Sequence, residues 1–372
     1  MLVEDVVELS PAERIARLRL IRSDNVGPVT FRQLLNRFGS AQAAIEALPE
    51  LSRKAGRGVT VISQARAEDE MAGLSHYGAR LVAQGEPGYP PHLHHIPAAP
   101  PLLTMAGGER LDWQRTVGIV GARNASTAGL KMTRLLAGEL GERRYTVVSG
   151  LARGIDTAAH RASLSTGTIA VLAGGFDKIY PDENIPLAHD ILDNGGALLT
   201  EMPLGWEPRA RDFPRRNRLV SGLSLGIVVV EAAKRSGSLI TARLALEQNR
   251  DVFAVPGSPL DPRAEGGNLL IQQGAKLITN ADDIIEVLGS ADPARMALFD
   301  AEWRPEDGVC ELPAEDDRER LMQALSTTPV EVDELIAATG ITPGAMQMLL
   351  LELDIAGRIE WSSGQLVALR FE

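Results

Sequence analysis

The chain has 372 residues, a formal charge of −11, 44% apolar residues and 23% charged residues. This is the composition of a folded globular protein and excludes a wholly disordered chain. There is no apolar run long enough to predict a membrane span. The single cysteine, Cys310, excludes an internal disulfide framework and a cysteine-rich zinc site. The acidic N-terminus lacks the apolar segment of a secretion signal, so we expect a cytoplasmic protein of two or three domains.

The acidic excess lies in the last quarter of the chain. Residues 286–372 carry 18 acidic and 6 basic side chains, whereas residues 1–285 are close to neutral. A neutral body can carry a local basic patch even though the total charge is negative. Residues 205–218 form such a patch, with five arginines against Glu207 and Asp212. Structural arginines on a solvated loop are the alternative interpretation.

The first predicted elements are short helices, which form a helical N-terminal domain over residues 1–84. Apolar residues recur at helical spacing on both sides of a Gly27-Pro28 turn. Gly39 is expected to end the second helix, and Ser40 to cap the next one. The pattern resembles SAM and helix-hairpin-helix modules, and the latter bind the DNA backbone through hairpin amides. A small helical packing domain is an equally consistent interpretation.

The core domain is predicted over residues 85–289, and its leading segment, residues 85–114, is expected to be an extended connector. This connector is rich in proline, glycine and histidine. His92, His94 and His95 have no cysteine or paired carboxylate beside them, so they do not predict a metal site.

Six apolar runs then alternate with helical segments, which predicts an α/β fold with a parallel, doubly wound, Rossmann-like sheet. The runs are 117–120, 146–149, 168–172, 197–200, 227–230 and 252–255, and the helices are about 126–141, 155–165, 183–194, 238–249 and 266–273. Ligands of such sheets bind beyond the carboxyl ends of the strands. The loops after the runs are therefore the predicted site.

These loops combine cations with the starts of helices. Gly121 and Arg123 follow the first run, and Ser236-Gly237-Ser238 opens a helix as an anion nest. Lys234 and Arg235 stand beside that nest, and an arginine-rich loop is predicted over residues 213–224. Asp156 and His160, four residues apart on one helix, indicate capping and packing rather than a metal pair. The site is predicted to hold a polyanion.

Enzymatic motifs are missing from the core sequence. It contains no G-x-G-x-x-G dinucleotide fingerprint, no P-loop and no G-x-S-x-G elbow. We therefore predict no catalytic residue, no cofactor and no metal.

The C-terminal region is predicted to be a linker, residues 290–314, followed by a winged helix, residues 315–372. Helices are expected at 319–325, 332–338 and 343–357, with a hairpin between 359 and 369. The third helix contains no lysine or arginine and carries Glu352 and Asp354. We therefore expect the winged-helix domain to serve protein interaction or self-association rather than duplex binding. Core positions are predicted for Met346, Met348 and residues 349–351.

Four segments of the core sequence resemble those of a known family: VGIVGAR, VVSGLARGIDTAAH, FPRRNRLVSGLS and SGSLITARLALEQNRDVFAVPG. In order and spacing they resemble the DNA-processing protein A family (DprA, also called Smf), over about residues 115–288. The flanking helical and winged-helix domains match a common layout of that family. The resemblance implies a non-enzymatic single-stranded DNA-binding protein that protects incoming DNA in natural transformation and loads the RecA recombinase. It also implies a homodimer formed through the Rossmann-like domain.

The resemblance further implies a set of DNA-binding residues, in which Phe213 stacks on a base. The loop after the first run, the basic loop, and the nest with its neighbour Lys234 together supply Gly121, Arg123, Arg209, Arg211, Phe213, Arg215, Arg216, Asn217, Arg218, Lys234, Ser236, Gly237 and Ser238. Ala210 departs from the family, since some members carry a DNA-binding lysine there, and Arg209 and Arg211 are candidates to replace it. Alanine at Arg123 or Arg218 is expected to weaken DNA binding without unfolding the protein.

Two other functions are compatible with such a scaffold. A phosphoribohydrolase would carry a P-G-G-x-G-T-x-x-E loop, but the corresponding string SGSLITARLALE lacks the double glycine, and Glu247 falls two helical turns onward. A transcription regulator would read duplex DNA with the third helix of the winged helix, and the acidic charge of that helix counts against it.

Overall fold

The computed structural model describes residues 8–54, 58–289, 313–314, 316–362 and 366–370. These residues divide into two compact units. One runs from Asp69 to the end of the core domain, and the other combines Leu9–Glu68 with the described residues after 312. The linker predicted at 290–314 lies, apart from its last two residues, outside the described residues.

The strands of the first unit are β1 (Ala79–Ala83), β2 (Leu102–Gly107), β3 (Thr116–Val120), β4 (Thr146–Ser149), β5 (Thr168–Val171), β6 (Ala197–Thr200), β7 (Gly226–Val229), β8 (Asp251–Ala254) and β9 (Lys276–Leu277). Within the described residues they form one sheet in the order β1-β2-β6-β5-β4-β3-β7-β8-β9. Strands β3 to β9 are parallel, and β2 and β1 extend the β6 edge in antiparallel pairing. The six predicted strands are confirmed to within one residue at each end.

The predicted connector is wrong in one respect, because part of it is a strand. Residues 102–107, which follow Pro100 and Pro101, form β2 and pair with β6. β1, which the sequence placed in the helical domain, pairs with β2 and so belongs to the sheet. An antiparallel edge needs no crossover helix, so the strand–helix alternation that marked the other strands was missing here.

The helices are α1 (Pro11–Ile21), α2 (Pro28–Phe38), α3 (Ala41–Lys54), α4 (Gln64–His76), α5 (Thr127–Glu142), α6 (Ile155–Ala162), α7 (Ile185–Asp193), α8 (Asp212–Gly222), α9 (Gly237–Glu247), α10 (Glu265–Gln272), α11 (Asp282–Gly289), α12 (Asp317–Ala324), α13 (Val332–Thr339) and α14 (Pro343–Ile355). Apolar residues of α8, α9 and α10 pack on one face of the sheet, and those of α5, α6 and α11 pack on the other. This two-sided cover explains why the parallel strands are apolar throughout.

The arginine-rich segment predicted as a loop is the helix α8. Asp212 begins the helix and is fully buried, and its carboxylate accepts bonds from the Trp206 indole and the Arg209 amide, both at 2.9 Å. Leu219 and Val220 bury the inner face of α8 against the sheet. Pro214 falls in the first turn, where a missing N–H costs nothing. The helix was not predicted from the sequence because arginines are frequent in its first two turns and leave few apolar residues at helical spacing.

The second unit contains α1 to α3, the winged-helix helices α12 to α14, and the strands β10 (Val330–Glu331), β11 (Ile359–Ser362) and β12 (Leu366–Leu369). These strands form an antiparallel sheet in the order β10-β12-β11. Gly39 ends α2 with a φ of 75°, and Ser40 accepts the Ala43 amide, as predicted. None of the described helices is by itself long and apolar enough to span a membrane. Helices α13 and α14 meet the length and composition criterion only when taken together, and the pair is bent by 117°.

Helix α14 is buried on two sides. Met348, Leu351 and Ile355 pack into a core shared with α1, α2 and α3, while Met346, Leu349 and Leu350 pack among the winged-helix elements. The predicted core role of these residues is confirmed.

Two polar contacts hold the C-terminal end of α14 against the turn between α1 and α2. The Thr30 hydroxyl donates to the Asp354 carboxylate at 2.6 Å, and the Asn25 amide donates to the Ile355 carbonyl at 3.0 Å. Burial raises the pKa of Asp354. Glu352 is buried and forms an ion pair with Arg318. The two acidic side chains of α14 are thus engaged inside this unit.

Candidate nucleic-acid interface

The candidate site lies where the strand order of the sheet reverses. β3 has β4 on one side and β7 on the other, and the chain leaves β3 and β7 at the same edge. Loops that leave such a pair open a crevice at the carboxyl edge of the sheet. Here the crevice is a cleft of about 770 Å³, with the start of α8 as a further wall. We call it the switch-point cleft.

The switch-point cleft brings together eight of the thirteen residues predicted from the sequence. They come from three separate segments of the chain and are Gly121, Arg123, Phe213, Arg216, Asn217, Ser236, Gly237 and Ser238. The antiparallel edge strands contribute none of them.

The N-terminus of α9 forms one wall of the cleft. The Ser236 side chain caps the helix by accepting the Ser238 amide, and the two hydroxyls are 2.6 Å apart. A Cβ added at Gly237 would have no described protein atom within 4 Å, so this end of the helix faces open space. The amides of a free helix N-terminus and the helix dipole together favour an anion.

An exposed cation and an aromatic ring face this helix end. The Arg123 guanidinium lies 5.2 Å from the centroid of the Phe213 ring, a cation–π distance. Asn217, one turn along α8, donates its amide to the Gly237 carbonyl at 3.4 Å and so links α8 to the nest. Arg235 also lines the cleft and adds a second exposed guanidinium.

Arg216 is a buried cation beneath the cleft. It is 5% exposed, and its Nη1 donates to the Val171 carbonyl at 3.0 Å. Burial lowers its pKa to about 10, so the guanidinium stays charged at neutral pH. A Cβ at Gly150 would collide with this guanidinium, which explains the glycine. A buried charge in a low-dielectric wall strengthens the positive potential of the cleft.

Asp156 lines the cleft but serves the loop after β4. Its carboxylate accepts the Gly150 amide at 3.1 Å and the Ala152 amide at 3.3 Å. Burial raises its pKa, and Arg216 opposes that shift. His160 is fully buried, its Nδ1 lies 2.7 Å from the Thr168 hydroxyl, and burial lowers its pKa to about 3. The packing role predicted for His160 is confirmed. The capping role predicted for Asp156 is wrong, because its carboxylate binds loop amides and the N-cap residue of α6, Gly154, makes no side-chain cap bond. No metal-binding cluster occurs among the described residues.

Gly154 allows the loop after β4 to approach the loop after β3. Its φ is 73°, and a Cβ there would collide with the carbonyl oxygens of Ala122 and Arg123. Only glycine fits this position without strain.

Four predicted residues lie outside the switch-point cleft but remain exposed. Arg209 lies over the Trp206 ring at 5.2 Å, Arg211 and Arg215 are exposed at the start of α8, and Lys234 lines a different cleft beside Glu265. Ala210 itself lines the switch-point cleft. Its arginine neighbours do not, so the expectation that Arg209 or Arg211 takes over a binding role at position 210 is wrong for this cleft.

Arg218 differs most from its expected position. Its guanidinium pairs with Glu201 at 2.5 Å and donates to the Ala98 carbonyl, and its side chain is only 14% exposed. It does not line the switch-point cleft. Arg218 was predicted to lie on a loop. It lies instead on α8, whose helical twist turns the side chain toward Glu201 after β6 and Ala98 in the predicted connector.

Sequence reasoning missed several residues at this edge of the sheet. The switch-point cleft also includes Asn124 and Arg263, and a second cleft, of about 320 Å³, adds Arg153, Tyr180 and Pro181. All of them follow carboxyl ends of parallel strands. The rule that directed attention to these loops would have found them had it been applied to every residue there.

Comparisons with known proteins match each part of the chain. A model of the DNA recombination-mediator protein A family matches residues 80–289, a DprA-like N-terminal HHH domain matches 11–73, and a DprA winged helix domain matches 310–365. Protein Smf of Escherichia coli is 38% identical over 311 residues, covering 82% of this chain and 81% of the relative. DNA processing protein DprA of Bacillus subtilis is 49% identical over 193 residues, covering 51% and 65%.

Two solved structures share the fold. DprA of Streptococcus pneumoniae has a TM-score of 0.61 at 31% identity, and the match covers 75% of this chain and 98% of that one. DNA processing protein A of Helicobacter pylori, described for its single-stranded DNA binding mode, has a TM-score of 0.52 at 28% identity and covers 57% and 97%.

Proposed function

The chain belongs to the DNA recombination-mediator protein A family, and we propose that it binds single-stranded DNA in the switch-point cleft. The observation that carries the proposal is the meeting of Arg123, Phe213 and the Ser236-Gly237-Ser238 nest in one cleft. The nest and the guanidinium suit a phosphate. The ring suits a base face.

The ring favours a single strand over a duplex. In a duplex both faces of each base are covered by its neighbours, and exposing one face requires unstacking. Stacking and phosphate contacts are also tolerant of sequence, because every base has a π-face. We therefore propose binding without strong sequence preference.

The test is fluorescence anisotropy of a labelled thymine oligomer across a salt series, with unlabelled duplex as competitor. We expect salt-sensitive binding that duplex displaces poorly. Absence of binding at low salt would contradict the proposal and would assign the cleft to a small phosphate ligand.

We also propose that the bound strand is protected and passed to RecA in the cytoplasm, during transformation or recombination. The Helicobacter pylori relative binds single-stranded DNA, and the family description is that of a recombination mediator. The test is RecA filament growth on a strand coated with single-strand-binding protein. Faster nucleation with this protein supports loading, and equal rates with and without it contradict loading.

A homodimer through the first unit is proposed from its open sheet edge. β9 is the outermost strand on that side, and Leu277 on it is 44% exposed. Leu260 and Leu269 nearby in sequence are also exposed, and a cleft of about 550 Å³ includes Leu269 and Leu277. Exposed apolar edges of this kind are paired or covered in native proteins. Sedimentation equilibrium of Leu277→Asp should show monomer where the unchanged chain shows dimer.

We propose no catalytic activity. Glu247, the glutamate considered for a phosphoribohydrolase, pairs with Arg243 at 3.4 Å and does not line the switch-point cleft. Asp156 is engaged by loop amides. Incubation with AMP tests this directly, since release of free base that is lost in Arg123→Ala would contradict a purely binding role.

A further inference from the structure

The second, 320 Å³ cleft adjoins the switch-point cleft, and the residues that line both are Arg123, Asn124, Ala152, Phe213 and Arg216. Its own walls include Arg153, Tyr180 and Pro181, which follow β4 and β5. The site described above assigns no role to these three residues.

Tyr180 presents an open aromatic surface to this second cleft. Its side chain is 49% exposed, and its ring centroid lies 5.7 Å from that of Phe213, with the planes at 70°. This is an edge-to-face contact, which is favourable between aromatic rings and does not cover both faces of either ring. An exposed ring beside a second ring gives a nucleic acid two neighbouring stacking surfaces.

The segment that carries Tyr180 is held firmly. Pro181 is buried, and the Asn184 side chain donates to the Leu151 carbonyl at 2.8 Å and the Thr157 hydroxyl at 2.9 Å. These bonds connect the segment after β5 to the segment after β4. A ring on a fixed segment loses little conformational freedom when it binds a ligand.

Arg123 and Arg216 line both clefts, and the charge that belongs to the second cleft alone suits a base better than a phosphate. Arg153 forms an ion pair with Glu183 at 2.8 Å, and both side chains are about half exposed. The carboxylate offsets the guanidinium and repels a phosphate. The switch-point cleft instead offers the N-terminus of α9 and the exposed Arg235, neither of which lines the second cleft.

We propose that Tyr180 stacks on a second base of the bound strand, adjacent to the base on Phe213. The inference rests on the proposed function and deepens it. The strand crosses from one cleft to the other, with its phosphates toward the α9 nest and one base over each ring.

The test is a double-mutant cycle between Tyr180 and the DNA. Thymine oligomers with a single abasic position, moved along the strand, are measured by anisotropy against the unchanged protein and against Tyr180→Ala. Tyr180→Ala should bind the intact oligomer at least about fivefold more weakly, the lower end of the cost of one lost stack. One abasic position should weaken binding by the unchanged protein but not by the variant. Tyr180→Phe should restore affinity, since the ring alone stacks.

Two measurements separate stacking from other effects. Tyr180→Ala should leave the salt slope unchanged, because no phosphate contact is lost. Tyr77→Ala, at an exposed tyrosine that lines neither cleft, should not change affinity. If the unchanged protein binds DNA but Tyr180→Ala binds equally well, or if the abasic effects simply add, the inference is overturned and the proposed function is not. If the unchanged protein does not bind the oligomer, both are overturned.

Discussion

Two regions of this chain carry patterns associated with DNA binding, and the structure treats them in opposite ways. At the switch-point cleft, the end of α9, Arg123 and Phe213 face open space. In the second unit, the third helix of the winged helix, α14, is packed between the winged-helix core and α1 to α3. The turn between α1 and α2 and the first turn of α2 are occupied as well, since Asn25 and Thr30 bond to the end of α14.

The difference shows that a DNA-binding motif has to be judged by what already covers it. Helix-hairpin-helix and winged-helix modules contact DNA through the hairpin and the third helix. Here those two surfaces contact each other, inside one compact unit. The arginines of the core follow the same principle, because Arg123 is exposed whereas Arg218 is held by Glu201.

Arg218→Ala should destabilise the first unit by about 3–5 kcal/mol, the cost of removing one partner of a buried ion pair. The two side chains are 14% and 11% exposed, so the Glu201 carboxylate would lose its guanidinium in a poorly solvated place. Urea unfolding measures the loss, and the salt slope of DNA binding should not change. Unchanged stability with a smaller salt slope would instead make Arg218 a phosphate contact.

Leu351→Ala should destabilise the second unit by about 2–5 kcal/mol, as expected for a leucine removed from a core. Leu351 packs with α1 to α3, whereas its neighbour Leu350 packs with the winged-helix elements. Hydrogen exchange should therefore accelerate in α1 to α3 for Leu351→Ala and in α12 and α13 for Leu350→Ala. Affinity for the thymine oligomer should stay the same in both. Unaltered exchange in α1 to α3 would show that the shared core contributes no stability.

Lowering the pH should destabilise the first unit and stabilise the second. Burial lowers the pKa of His160 to about 3 and that of His92 to about 4, from an ordinary 6.5. Their stabilising contribution is complete above pH 6.5 and is lost as the pH falls toward the folded-state values. Each histidine costs the first unit about 2 kcal/mol between pH 6.5 and pH 5. Asp156, whose pKa burial raises, reduces that loss.

In the second unit, burial raises the pKa of Asp354, so the folded state binds its proton more readily than the unfolded state. The second unit therefore gains stability as the pH falls through the folded-state pKa of Asp354. Hydrogen exchange at pH 7 and pH 5 resolves the two units separately. Substitution of the exposed His189 by Asn should leave the acid response of the first unit unchanged. Equal acid sensitivity of both units would contradict the assignment.

The parallel part of the sheet could be predicted from the sequence because each strand is a continuous apolar run between helices. β1 and β2 could not, since an antiparallel edge carries no such alternation and two prolines directly precede β2. The helix α8 was concealed by its arginines. Its inner face, with Leu219 and Val220, is only recognisable once the sheet is known.

The site was predictable to the extent that backbone direction defines it. Residues at carboxyl ends of β3 and β7 meet in the cleft as expected, because parallel strands bring their ends to one edge. The orientation of arginines on α8 was not predictable, since one residue along a helix turns a side chain by about 100°. Arg216 thus lies buried below the cleft and Arg218 outside it. The packing of α14 against α1, α2 and α3 was not predictable either, because the residues in contact are more than 300 positions apart in the sequence.

Arg123→Ala tests the accessible side of the contrast and should have the smallest energetic effect. We expect DNA affinity to fall about tenfold, because one charge-assisted contact to a phosphate is lost. The salt slope should fall by about 0.7, the value for one single-strand phosphate. The exposed Arg134 on α5 does not line either cleft, so Arg134→Ala is the matched control. It removes the same charge from the protein and should change neither quantity.

The salt slope and the affinity together separate three explanations for weaker DNA binding by the Arg123→Ala variant. Loss of a phosphate contact lowers both. Loss of the support that the guanidinium gives the Phe213 ring, 5.2 Å away, lowers affinity alone. A general loss of positive potential would lower both for Arg134→Ala as well. An unchanged affinity in a variant that unfolds like the original chain would place the DNA outside the switch-point cleft, and the contrast between an open core site and a covered winged helix would then no longer account for where this chain binds DNA.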